Sequence, residues 1–151
     1  MSLIDLVRQI NDASVCERDG FPIIMIDGER LCSVEYADGL IGGQTVIGVA
    51  EGERGIELLF ANGYSMPLTK PASGEPLVSL PGMLPQLRGL LINRTLEGFR
   101  HGEWVGEGMP PERHPIFALQ FTGDEPRNDR TLDVGLESVR RIRRGFREQD
   151  S

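Results

Sequence analysis

The sequence predicts an α+β fold: a twisted antiparallel β-meander sheet with an N-terminal helix and a C-terminal amphipathic helix packed on it. Three observations carry this reading. Strand-like runs alternate with glycine turns from Phe21 to Leu68, and apolar residues recur at helical spacing near both ends of the chain. The 151 residues fall within the usual range of one domain, and such a chain buries roughly 68–70% of the surface it exposes when unfolded. A single domain is expected over residues 1–147, with a short disordered tail at 148–151.

The first helix follows from Leu3, Leu6, Val7 and Ile10, with Ser2 placed to cap it and Asp5 three residues later; it should end near Ala13. Residues 22–26 then meet Asp27-Gly28, a pair that tolerates the positive φ of a tight hairpin, and residues 30–36 run back. Asp38-Gly39 and Gly42-Gly43 bracket the next connection, after which Thr45, Ile47 and Val49 alternate as in a half-buried strand. A turn over residues 51–55 follows. Residues 56–61 and 64–68 flank Asn62-Gly63, again a hairpin pair. Five strands in meander order are the expectation.

Pro67, Pro71, Pro76, Pro81 and Pro85, with Gly74 and Gly82, deprive the backbone of donors and predict a long crossing loop. Pro85 suits the first turn of a helix carrying Leu84, Leu87, Leu90 and Leu91, although so short an apolar run fits a strand equally well. Leu96, Phe99 and Trp104 lie among glycines, and Ile116, Ala118, Gln120 and Phe121 suggest a last strand. Leu132, Leu136, Val139, Ile142 and Phe146 fall on an arc about 120° wide at roughly 100° per residue, the pattern of an amphipathic helix lying on the core. No internal repeat is evident along the chain.

No apolar run approaches the ~18–20 residues that a membrane helix needs, and no basic region precedes an apolar core at the N-terminus. A cytoplasmic protein with no membrane partner is expected. Cys16 and Cys32 have the spacing of neither a redox pair nor a zinc knuckle and read as reduced structural thiols. The net charge of −7 is concentrated in residues 1–62, which hold 4 basic and 11 acidic side chains. Such a field repels phosphates and argues against nucleic-acid partners.

Candidate chemistry is sparse. Arg140, Arg143, Arg144 and Arg147 would lie together along the last helix as a ligand or partner surface, or as cations favouring the negative end of its dipole. His101 and His114, with Glu103 between them, are the weak catalytic candidates; they need a fold that brings them together. The sole tryptophan, Trp104, reads as a binding anchor or as a lid on the core. No nucleophile elbow or phosphate cradle is present, and neither cofactor nor metal is expected. The leading expectation is a non-catalytic protein-interaction or regulatory module whose partner is another protein or itself, as a homodimer. A small enzyme or ligand-binding domain using the segment from His101 to His114 is one alternative, and an acidic mimic of nucleic acid is another.

Overall fold

The computed structural model describes residues 16–18, 24–26, 29–32, 34–70, 73–79, 81–106 and 108–145, with side chains from residue 37 onward except residue 128. The helix expected at Leu3 to Ile10 lies outside these residues. In chain order the elements are β1 (Cys16–Arg18), β2 (Ile24–Ile26), β3 (Glu29–Cys32), α1 (Val34–Ile41), β4 (Val46–Gly52), β5 (Gly55–Phe60) and β6 (Tyr64–Pro67). Then follow α2 (Met83–Leu91), β7 (Leu96–Val105), β8 (Arg113–Phe121), a 3-10 turn (Arg127–Arg130), β9 (Thr131–Gly135), α3 (Leu136–Arg140) and β10 (Arg143–Arg144). They form two four-stranded antiparallel sheets, ordered β1-β7-β8-β9 and β10-β6-β5-β4, and a β2-β3 hairpin. The α+β antiparallel class expected from the sequence is the one observed.

Three details differ. The five strands do not make one meander: among the described residues β2 and β3 pair only with each other, and the return strand stops at Cys32 because Val34 already opens α1. Ala37 and Ile41, four residues apart, are fully buried on that helix, so helical rather than strand spacing wins there. Near the C-terminus Leu132 and Val134 reach the core from β9, and the helix that follows runs only from Leu136 to Arg140. Their two-residue spacing serves the ladder to β8, where Leu119 faces Leu132 and Phe117 faces Val134. The open choice after the proline-rich crossing falls to a helix, since Met83, Leu87 and Leu91 are buried at successive helical turns of α2.

The fold also contains an internal repeat that the sequence does not announce. In both halves a helix leads through a tight turn into a strand that begins with a bulge. Val46 pairs with Phe60 and Gly48 with Leu59, just as Leu96 pairs with Phe121 and Gly98 with Gln120. The correspondence continues pair by pair to Gly52 with Gly55 and Gly102 with Ile116. It extends to the third strands, where Leu58 opposite Met66 matches Leu119 opposite Leu132. The turn after each helix needs a left-handed residue, supplied by Gly43 (φ 77°) in one half and Asn93 (φ 81°) in the other.

The two units join where their first strands cross. Val46 N–H donates to Arg94 O and Leu96 N–H to Gln44 O, each at 2.9 Å, while Gly43 N–H reaches Leu96 O and Asn93 N–H reaches Val46 O at 2.8 Å. Between them Thr45 Oγ1 and Thr95 Oγ1 lie 3.0 Å apart. As a result each helix packs on the other unit's strand, α1 against β7 and α2 against β4, where Arg88 Nε donates to Val49 O at 2.8 Å. The core is built almost wholly from counterparts: Val46 and Leu96, Val49 and Phe99, Ile56 and Phe117, Phe60 and Phe121, Ile41 and Leu91 are all buried in one cluster.

A second junction lies at the far strand ends, where Gly135 N–H donates to Thr69 O and Ser138 Oγ is 2.8 Å from Thr69 Oγ1. A Cβ at Gly135 would stand 2.9 Å from Lys70 O and 3.1 Å from Thr69 Oγ1. Gly135→Ala is therefore expected to lower stability by about 1–3 kcal/mol through overpacking against backbone, measured by chemical denaturation.

The crossing loop is pinned to the β4 end by Glu51, whose carboxylate accepts from both the hydroxyl and the backbone N–H of Ser79. The Ser79 hydroxyl first, and its N–H second, hold Glu51 below the usual carboxylate range. A lowered folded value means that the clamp contributes stability above the ordinary carboxylate range and loses it as pH falls through the folded value. Carboxyl-detected NMR titration should find Glu51 titrating below the usual carboxylate range, and Ser79→Ala should bring it up toward that range.

Candidate interaction surface

Two additions break the repeat, and the candidate residues lie on them. The first is β10, which extends the β6 edge: Arg143 lies opposite Ser65 and Arg144 opposite Tyr64. Short-range attraction holds it there. Glu57, only 2% exposed, receives Arg54 through two hydrogen bonds, Nη2 to Oε1 at 2.7 Å and Nε to Oε2 at 3.2 Å. The same carboxylate lies 3.6 Å from Arg143 Nη2. Arg54 also donates to Arg141 O at 2.9 Å, so one guanidinium ties the β4–β5 turn to the C-terminal segment. Glu137 serves Arg140 (2.7 Å) and Arg141 (3.3 Å), and the Arg144 guanidinium stands 5.6 Å from the centre of the Tyr64 ring.

Four guanidinium groups thus share two carboxylates, and a fifth lies over the Tyr64 ring, in a chain whose net charge is −7. The single helical arginine face expected from the sequence is not what gathers them. Arg140 ends α3, whereas Arg143 and Arg144 are successive strand residues and therefore flank opposite faces of the sheet. Arg147 lies outside the described residues. Arg54, Arg141 and Tyr64 were not legible as site residues, since the Arg54 to Arg141 contact joins positions 87 apart in the chain.

The second addition is an arm. Where β4 and β5 turn at residues 52–55, β7 and β8 run on through Glu103 with Pro115, Trp104 with His114 and Val105 with Arg113, and β1 pairs along it. Directly opposite residues share a face, so His101, opposite Phe117, faces the core side and meets the Phe117 ring edge-on at 4.9 Å. His114 lies on the other face with Trp104, their rings 5.6 Å apart, and its Nε2 is 3.2 Å from Glu112 Oε2. Glu103 is taken by Arg113 at 2.6 Å. His101, Glu103 and His114 are therefore not brought into one site. Trp104 lies outside the core cluster, its ring folded across Gly106, where a Cβ would meet it at 2.8 Å.

The arginine edge depends on Glu57. Removing its charge leaves Arg54 and Arg143 facing one another, but both guanidiniums keep access to water, so the loss is smaller than for a fully enclosed pair. Glu57→Gln is expected to cost about 1–3 kcal/mol in a denaturant titration, and to loosen β10, read as faster amide exchange at Arg143 and Gly145.

Compared with protein-family models, with curated proteins and with solved structures, the chain matches none.

Proposed function

We propose that this domain is a protein-interaction module that meets an acidic partner through the arginine-rich edge formed by Arg54, Arg140, Arg141, Arg143 and Arg144. The observation that supports this reading is the local inversion of charge, five guanidiniums against two carboxylates in an otherwise acidic chain. Such a patch steers an oppositely charged partner while the remaining surface repels like-charged ones. Arginine suits the task because its planar fork engages carboxylates at two points.

The test spares Arg54 and Arg143, which neutralise buried Glu57, and replaces the other three: Arg140→Gln, Arg141→Gln and Arg144→Gln together. Fluorescence anisotropy with a labelled oligoglutamate peptide should show binding to the unaltered protein that weakens with added salt. The triple variant should bind about tenfold more weakly or worse, the sum of three exposed pairs, at an unchanged unfolding midpoint. Equal binding by both proteins would remove the proposal.

A further inference from the structure

The way the arginines are mounted says how an acidic partner lies on them. Among the described residues β10 ends its sheet, the order being β10-β6-β5-β4. The register of Arg143 opposite Ser65 and Arg144 opposite Tyr64 continues to Gly145, whose N–H donates to Gly63 O at 2.6 Å. In an antiparallel ladder alternate residues turn their backbone groups toward the partner strand. Arg143 and Gly145 therefore face β6, and the N–H and C=O of Arg144 point away from it. Side-chain alternation puts Arg143 on the face of Glu57 and Arg144 on the face of Tyr64. The edge thus offers an outward backbone donor and acceptor with a guanidinium on each side.

Among the described residues the β9 edge of the other unit differs. β9, the counterpart of β6, is buried along its whole length, whereas Arg143, Arg144 and Gly145 are exposed.

We infer that this edge takes an extended acidic segment of another protein as an added antiparallel strand, a mode that rests on the acidic-partner reading above. In an extended segment successive side chains point to opposite faces, so adjacent carboxylates reach Arg143 on one side and Arg144 on the other, with Arg140 and Arg141 at the upstream end. Backbone pairing sets the direction and the arginines select the sequence. A nucleic acid satisfies only the charges, because its phosphates cannot continue the ladder.

The experiment uses the full chain and two labelled oligoglutamate peptides, one unmodified and one N-methylated at every backbone nitrogen, so that neither edge of the methylated peptide can donate. The expected result is binding of the unmodified peptide, a loss of about tenfold or more on N-methylation, and slowed amide exchange at Arg144 in the complex. Equal binding of the two peptides, both weakened by the triple arginine-to-glutamine variant, would leave the acidic partner standing and overturn strand addition. Binding of neither peptide would overturn both readings. Dimerisation of the free protein through β10, seen as protection of Arg144 that grows with protein concentration, would assign the edge to a second copy and overturn the peptide as its occupant. An oligonucleotide that competes as well as the unmodified peptide would reduce the edge to a general polyanion surface and overturn it likewise.

Discussion

The structure depends on the crossing of residues 44–46 with residues 94–96. Four backbone hydrogen bonds run in reciprocal pairs across it, and the Thr45 and Thr95 hydroxyls close the gap between them. Backbone donors and acceptors must be satisfied wherever they are shielded from water, and here four of those bonds are made to the other repeat. That requirement hands each helix to the opposite unit's strand. Neither apolar helix stripe, Ala37 with Ile41 or Met83 with Leu87 and Leu91, covers its own strand, so the core forms only when both units are in place.

Repetition also explains where the chain is free to specialise. Positions with a counterpart are held by the shared core: changing the volume of Phe60 or Phe121 disturbs packing on both sides of the crossing. Residues outside the correspondence carry less of that load. The lengthened β7–β8 arm, with Met109 almost fully exposed at its tip, and the β10 edge are both of this kind. One paired position differs in chemistry as well, since buried Glu57 in β5 stands where β8 has Ala118. The repeat with the carboxylate is the one that acquired the arginines.

Arg54 and Arg94 do comparable structural work by different means. Arg94 engages Glu125 through two hydrogen bonds and also reaches Leu90 O and Thr122 O, fastening the loop between β8 and β9 to the end of α2. Its Nη groups hold the Glu125 carboxyl below the usual carboxylate range. In the first unit the equivalent helix carbonyl, Leu40 O, is capped instead by the Asn62 amide at 2.8 Å. A planar five-donor group can satisfy two carbonyls and both oxygens of a carboxylate at once, four bonds that lysine's three donors cannot make. With a single lysine in the chain, nearly every cationic contact has this forked geometry available.

The sequence by itself determined the fold class, the β2–β3 and β5–β6 hairpins, the proline-rich crossing and most apolar residues of the core. These are local: turn chemistry needs adjacent residues, and burial needs only hydrophobicity. The repeat was not legible, because few residues recur identically between the units, Gly39, Leu40, Thr45, Gly48 and Gly52 reappearing as Gly89, Leu90, Thr95, Gly98 and Gly102. Phe60 and Leu58 also reappear as Phe121 and Leu119, but other paired core positions keep their apolar character and change volume, as Val49 and Phe99 or Ile56 and Phe117 do, and the intervening turns differ in length. The C-terminal helix is shorter than the sequence suggested, for a related reason. Leu132 fits the helical arc of Leu136, Val139 and Ile142 as well as it fits a strand, and β8, with its matching row of donors and acceptors, decided for the strand. The candidate site was half visible: Arg140, Arg143 and Arg144 stand out in the sequence. The tertiary structure alone brought Arg54, Glu57 and Tyr64 to them and set Arg143 and Arg144 on opposite faces, because ion pairs between distant residues are fixed by where the strands lie.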